Sequence, residues 1–330
     1  MTLGFIGFGE AAYHITRGLR AAGHAPVMAW DIHANTPGRG EKIRARAKET
    51  GTGLANSSQG LAAGCDWIIS AVTANQALAA VAAIAPYLTP RHLYADVNSV
   101  SPGRKQELDA AVRAAGARFV EVAIMAPVPP SLHKVPMLAG GEAAHEFQGR
   151  LQPFGMNIEV VGDKIGVAAA TKMCRSIIIK GMEALVTECV LGATRYGAAE
   201  RVFASLDETF PGIDWSKLAS YMVGRVVVHG ERRAREMEEV AATLREAGVN
   251  PMMAEATIRR MDWSVELGLK EHFHGENPAT YEEFAGAVRQ LVTHPVPARP
   301  TTERWSSRER TESGTADSPD GLKTPLPSAG

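Results

Sequence analysis

The stretch that decides the fold is "TLGFIGFGEAAYHITRGLRAA", residues 2–22. It opens on a short apolar run, "TLGFI", with the composition of a buried strand. From residue 10 the apolar positions recur at helical spacing up to residue 22. Between them stands Gly7-Phe8-Gly9-Glu10-Ala11-Ala12, a G-x-G-x-x-A turn. A strand that passes through this turn directly into a helix is the context in which the pattern has physical meaning. Gly7 permits the tight turn, Gly9 lets the backbone come close to a ligand, and Ala12 permits close helix–sheet packing. The helix start then offers free N–H groups and the positive end of the helix dipole to an anion. The segment predicts a dinucleotide site in which Gly7, Phe8, Gly9, Glu10 and Ala11 meet the pyrophosphate.

Outward from this turn, strand-like and helix-like segments alternate. "PVMAWD" reads as a second strand that ends in Asp31, about twenty residues beyond the turn. An acidic side chain there binds a ribose 2′-OH and repels a 2′-phosphate, which favours NAD over NADP. Arg39 and Arg44 follow; as solvated helix charges they change nothing, and near the ribose they soften that preference, so NADP stays open. "EKIRARAKETG" predicts a helix ending at Gly51, and "DWIISAV" a buried strand that brings Val72 and Thr73 to the cofactor. An alanine-rich helix over 75–85 follows, then the strand "HLYADV" and the polar turn "NSVSP". Asn98 is placed there as a cofactor contact and Ser99 as a substrate contact. Ser101 and Pro102 read as the cap and first residue of the next helix, 102–115. "ARFVEVA" is a further strand, and "VPMLAGG" and "NIEVVG" are two more around a helix at 142–149.

Short apolar runs separated by helices predict an α/β fold, a Rossmann-type doubly wound parallel sheet with helices on both faces, over residues 1–162. From 163 to 292 strand signals fade and an all-helical C-terminal domain is expected. Residues 293–330, with "RPTTERWSSRERTESGTADSPDG", have little to bury and are expected to be disordered.

The totals narrow the partners. A formal net charge of -1 gives no basic field to attract a nucleic acid or an anionic membrane. The three cysteines, Cys65, Cys174 and Cys189, show neither paired spacing nor a metal-ligand cluster, which suits a reducing compartment. The first residues lack a basic n-region and a cleavage site, and no apolar run reaches the length of a membrane span, so a soluble cytoplasmic protein is expected. In "EHFHG", His272 and His274 stand without a carboxylate or cysteine cluster, and no metal is expected.

"GVAAATKMCRSIIIKGMEALVTECV", residues 166–190, is an apolar helix that holds Lys172, Arg175 and Ser176 within about one turn. Residues 172, 175, 176, 179 and 183 fall on neighbouring turns, so Lys172, Arg175, Ser176 and Glu183 can share one stripe. Arg175 has the planar fork to bind a substrate carboxylate; its other reading is a pair with Glu183 or Glu188. A further helix, "HGERRAREMEEVAATLREAG", ends at Gly248 and carries His229, Arg232, Arg233 and Glu236. These are a solvated face, or else Arg232 or Arg233 reaches a cleft to bind an anionic substrate.

This order of motifs resembles the β-hydroxyacid dehydrogenase superfamily, the group of 3-hydroxyisobutyrate, tartronate semialdehyde and 6-phosphogluconate enzymes. The likeness runs from the glycine turn through "ADVNSVSP", "EVAIMAPV" and "VPMLAGG" to "GDKIGVAAATKMCRS". The helix "HGERRAREMEEVAATLREAGVNPMMAEAT" resembles a phosphogluconate-dehydrogenase-like branch. The resemblance implies an NAD(P)-dependent oxidoreductase acting on a small hydroxy acid or a related alcohol or aldehyde. It also implies a homodimer built through the helical domains, with Lys172 as general acid/base. Three departures stand out. Ser176 replaces the usual asparagine four residues after the lysine. Met125-Ala126-Pro127 replaces the Ser-Gly-Gly whose amides hold a carboxylate, and Pro127 has no N–H. Ile179 replaces the acid that phosphogluconate enzymes use in decarboxylation. Two other readings are an imine reductase, an architecture that usually lacks the lysine, and a non-catalytic dinucleotide-sensing dimer.

Overall fold

In a computed structural model, which describes residues 2–292, eight strands form one sheet. They are β1 (Leu3–Ile6), β2 (Met28–Trp30), β3 (Gly53–Leu54), β4 (Trp67–Ser70), β5 (Leu93–Asp96), β6 (Arg118–Ile124), β7 (Met137–Gly140) and β8 (Ile158–Val160). Their order is β3-β2-β1-β4-β5-β6-β7-β8. The strand order reverses between β1 and β4, the topological switch point where open α/β sheets bind ligands at their carboxyl ends.

Adjacent residues of each strand enter opposite cores. Phe5, Ile69, Ala95 and Val120 pack on one face, against Ile15 and Leu19 of α1 (Glu10–Ala21), Ile43 of α2 (Arg39–Thr50) and, further along the chain, Phe147. Ile6, Ile68, Tyr94 and Phe119 pack on the other, against Leu61 of α3 (Ser58–Gly64), Val81 of α4 (Ala77–Ile84) and Leu108 of α5 (Pro102–Ala114). Both faces are thus covered, which explains why these strands read as continuous apolar runs.

The expected sheet is present, with one difference. β7 runs antiparallel to β6, while its other neighbour β8 is parallel to it. Residues 125–136, which include the short α6 (Val128–Ser131), turn the chain back as a hairpin-like connection instead of a crossover. Two small elements were not legible in the sequence: β3, only two residues long, and α3, which Ser57 caps by accepting from Gly60 N–H at 3.1 Å.

After α7 (Ala144–Leu151) and β8 the chain is helical: α8 (Val167–Arg195), α9 (Ala199–Thr209), α10 (Trp215–Glu246), α11 (Met252–Glu266), α12 (Leu269–His272) and α13 (Tyr281–Leu291). α10 is much longer than the sequence suggests. It begins at Trp215 after an Asp214 cap and ends before Gly248, whose φ of 73° stops it. Residues 293–330, the stretch expected to be disordered, lie outside the described residues. No helix among the described residues is long and apolar enough to cross a membrane.

Candidate active site at the carboxyl edge of the sheet

The glycine turn is built as its residue types require. Gly7 sits at φ 79°, and a Cβ there would lie 2.6 Å from the Ala71 carbonyl, so only glycine fits. Its N–H donates to the Trp30 carbonyl at 2.9 Å, which ties the turn to β2. At Gly9, the residue before α1, no side chain caps the helix, and a Cβ would meet nothing within 4 Å. The first N–H groups of α1 lack intrahelical partners. Open space in front of uncapped, dipole-aligned donors fits a pyrophosphate.

Asp31 stands beside this turn. Its Oδ2 accepts from Phe8 N–H and its Oδ1 from His33 N–H, each at 2.8 Å. The backbone thus fixes the carboxylate at the end of β2, with lone pairs left for a ribose hydroxyl. Phe8, in contrast, spends its N–H on Asp31 and buries its ring completely in the core. Glu10 is exposed in the first turn of α1, and Ala11 is half-buried. Arg39 is exposed at the start of α2, and Arg44 donates to the Ala34 carbonyl.

One register row across the sheet organises the rest: Ser70, Asp96, Glu121 and Gly140 on β4, β5, β6 and β7 are successive partners. Asp96 and Glu121 are both fully buried. Lys105 of α5, 1% exposed, supplies the countercharge. Its Nζ lies 2.5 Å from Asp96 Oδ1 and donates to the Asp96 carbonyl at 2.8 Å. Asn98 is also buried; its amide donates to Ser70 Oγ at 3.0 Å and to Asp96, and its Oδ1 accepts from Val72 N–H at 2.7 Å. The structure therefore makes Asn98 a peg for the Val72–Thr73 turn, its side chain occupied by protein partners. Thr73 is exposed and donates to Asn75. Ser99 is half-buried at the same edge, with no side-chain hydrogen bond among the described residues.

Glu121 aims α8. Its carboxylate accepts from the backbone N–H groups of Gly166 (2.7 Å), Ala168 (3.0 Å) and Ala169 (3.4 Å), the unsatisfied donors of the helix start. A Cβ on Gly140 would lie 2.7 Å from Glu121 Oε1, so the glycine of "VPMLAGG" makes room for this cap. Burial pushes the Glu121 carboxyl up, against the pull of the helix amides and Lys105.

Lys172 lies in the second turn of α8 and is half-buried. Loss of water around it lowers its amine to about 8; Glu236 opposes this, and Lys105, Lys180 and Arg232 reinforce it. Lys105 also donates to the Val122 carbonyl of β6 at 3.3 Å, and α8 packs against both α5 and β6. Along the same face of α8, Ser176 and Lys180 are buried and Lys180 Nζ donates to Ser176 Oγ at 3.1 Å. Lys180 also pairs with Glu236 of α10 at 3.0 Å, and Glu236 takes a second partner in Arg232. One further turn along, Glu183 meets Arg233 at 2.9 Å.

The stripe expected on α8 is thus real for Lys172, Ser176 and Glu183, while Arg175 is exposed and off it. Neither acid considered for Arg175 pairs with it: Glu183 takes Arg233, and Glu188 takes Arg260 at 2.6 Å. Arg232 is exposed at the rim; Arg233 is buried. His229 is held down to about 4 by burial and by Arg225, Arg232, Arg233 and Lys270. Sequence reasoning missed Lys105, Glu121 and Lys180. The segment 125–130, a loop running into α6, offers few donors: Met125 N–H donates to the Pro136 carbonyl at 2.9 Å, and Pro127, Pro129 and Pro130 have no N–H.

A doubly wound sheet with a glycine turn at its switch point, followed by a long helix whose start is fixed to the same sheet by Glu121, defines a class of dinucleotide-binding proteins. Comparisons with known proteins agree. Residues 2–162 match the model of the NAD binding domain of 6-phosphogluconate dehydrogenase, and residues 193–264 match a domain of unknown function, DUF1932. The chain is 38% identical to a conserved hypothetical protein from Sinorhizobium meliloti, over 88% of this chain and 96% of that one, with a TM-score of 0.74. It is 32% identical to a conserved protein of unknown function described as structurally similar to 3-hydroxyacid dehydrogenases, over 83% and 99%, with a TM-score of 0.68. The 3-hydroxyisobutyrate dehydrogenase of Mycobacterium tuberculosis shares the fold at 16% identity, over 88% and 98%, with a TM-score of 0.65. The chain belongs to the β-hydroxyacid dehydrogenase superfamily, and its first half is an NAD(P)-type nucleotide-binding domain.

Proposed function

We propose that the protein is an NAD-linked oxidoreductase that interconverts a small hydroxy acid, or a related alcohol, with its carbonyl form, and that Lys172 is the general acid/base. The observation that carries this reading is a half-buried lysine, Lys172, in the second turn of a helix whose start Glu121 fixes to the carboxyl edge of the sheet; its lowered amine agrees with the role. The nicotinamide supplies the hydride chemistry when bound. Gly7, Gly9 and the start of α1 hold the pyrophosphate, and Asp31 takes the ribose. Asn98 sets the Val72–Thr73 turn from behind. Lys172 takes the hydroxyl proton in oxidation and returns it to the carbonyl oxygen in reduction. Ser99, Ser176 and Arg232 orient the substrate; Arg175, which faces away from this stripe, takes no part. A panel of hydroxy acids and aldehydes, assayed with NAD(H) and NADP(H) and with Lys172→Ala as control, tests the assignment; absence of any Lys172-dependent turnover rejects it.

Cofactor choice rests on Asp31. Asp31→Ala removes a charged hydrogen-bond partner, an interaction worth about 1.5–3 kcal/mol, and should move the NAD/NADP preference at least about tenfold toward NADP. An unchanged ratio of kcat/KM values for the two cofactors would show that Asp31 is not the ribose ligand.

We place the active unit as a homodimer. The outward side of α8 exposes Ile178 (62%) and Leu185 (56%), Tyr196 just after its end is 88% exposed, and Tyr221 of α10 is exposed as well. Leu185→Glu should shift the protein toward monomer in sedimentation velocity. A parent that already sediments as a monomer would end this assignment.

A further inference from the structure

Nearly every helical threonine or serine whose hydroxyl bond is defined folds back onto the carbonyl four residues earlier. Thr171, Thr187, Thr194, Thr209, Ser220, Thr243 and Thr257 all do so. Ser176 is a buried exception. Among the described residues its hydroxyl makes one bond, and there it is the acceptor, from Lys180 Nζ. Lys180 is held for this by Glu236 at 3.0 Å, and Glu236 is anchored in turn by Arg232. An ammonium has no lone pair, so the hydrogen of the Ser176 hydroxyl has no protein acceptor. Helix periodicity sets Ser176 one turn from Lys172 on the same face.

We infer that Lys180 is a positioning residue: clamped by Glu236, it occupies the acceptor side of the Ser176 oxygen and turns the hydroxyl into a fixed donor toward a substrate oxygen beside Lys172. This deepens the reading of the preceding section and rests on it for the identity of the substrate. It assigns the substrate an acceptor oxygen, carboxylate or hydroxyl, within reach of the Ser176 hydroxyl. The need for such a donor is plain in this chain, because the 125–130 loop is poor in free amides. The shortness of serine is compensated by Lys180, which fixes the direction of its O–H.

The charges facing Lys172 are Glu236 and Arg232 from α10, Lys105 from α5 and Lys180 from α8. Removing Lys180 deletes a repelling cation and frees Glu236 to attract the Lys172 ammonium. Both changes push the Lys172 midpoint up, by about one pH unit. The first arm of the test needs no substrate. The rate of Lys172 acetylation by acetic anhydride, read by peptide mass spectrometry from pH 6 to 10 (assay range, roughly centred on the lowered amine), should show an upward shift in Lys180→Met. Lys180→Arg should restore the parent profile. Methionine matches the lysine stem in volume, and Glu236 keeps Arg232 as partner, so the fold is preserved. An unmoved Lys172 profile in folded Lys180→Met overturns the inference.

The second arm uses a turned-over hydroxy acid. Ser176→Ala and Lys180→Met should each lower kcat/KM about 10–100-fold, the cost of one lost hydrogen bond to a charged group. Measured in the oxidation direction on the high-pH plateau, above both Lys172 midpoints so that the shift itself costs no rate, both variants act through one hydroxyl and the double variant should be no worse than Ser176→Ala; losses that multiply there would mean two independent roles and overturn the inference. A parent that turns over no hydroxy acid rejects the proposed function, and the acetylation profile still decides whether Lys180 positions this site.

Discussion

Lys172→Ala is expected to lower kcat/KM by about two to four orders of magnitude, the range for losing a positioned general acid/base, with cofactor affinity unchanged. The second half of this expectation follows from the layout. The glycine turn, α1 and Asp31 belong to the β1–β2 end of the switch point, and Lys172 comes from a separate helix that packs on β6 and β7. The pH dependence carries a sign for each direction. Oxidation of an alcohol needs the neutral amine. With the group lowered from 10.5 to about 8, kcat/KM should rise with pH and level off above about 8. Reduction of the carbonyl needs the ammonium, so its rate should hold below about 8 and fall above it. Stability moves in the same direction as the oxidation rate and opposite to the reduction rate. A base whose folded pKa lies below its unfolded value gives up folding free energy as pH falls from 10.5 through 8. The charged amine is therefore carried at a cost at neutral pH. Lys172→Met, which keeps the apolar stem, should melt no lower than the parent at pH 7. A variant that loses rate only in proportion to lost folded protein would remove Lys172 from the chemistry.

The largest effect on stability should come from Lys105→Met. Asp96 and Lys105 are 0% and 1% exposed, and Lys105 Nζ satisfies both the carboxylate and the main-chain carbonyl of Asp96. Taking away one partner leaves a carboxylate buried without countercharge, which costs about 3–5 kcal/mol. Urea unfolding should show that loss, with an unchanged slope if the denatured state is unaffected. Lys105→Met combined with Asp96→Asn should recover part of it, because a neutral amide no longer needs the cation. A loss below about 1 kcal/mol would place the pair among ordinary surface ion pairs and contradict the burial. The pair also supports the candidate site: Asp96 holds Asn98, and Asn98 holds the Val72 amide at the switch point.

Several features of this site are invisible to any short-range reading. Lys105 sits in "PGRKQELDAAVRA", where it looks like one more solvated helix charge. It faces inward because β5 and β6 place Asp96 and Glu121 as register partners beneath α5. Glu121 reads as the lone acid of an apolar strand, and its role depends on a helix that starts some forty-five residues later. The α8–α10 pairs behave likewise. Lys180–Glu236 and Glu183–Arg233 join residues about fifty apart in the chain, and no periodicity within either helix selects the partner. Arg175 illustrates the same limit from the other side. Its spacing from Lys172 allowed a shared stripe, and α8 is rotated so that 172, 176, 180 and 183 face inward while 175 faces out.

The sequence by itself determined the glycine turn, because φ 79° and the 2.6 Å approach to Ala71 leave no side-chain option at Gly7. It determined the alternation of strand and helix, because adjacent residues such as Phe5 and Ile6 must enter cores on opposite faces. It also singled out Lys172, an amine in an apolar helix at a family position. Only the tertiary structure decided which charges surround that amine, and hence its lowered basicity, because desolvation and Coulomb energy depend on distances in space and not along the chain.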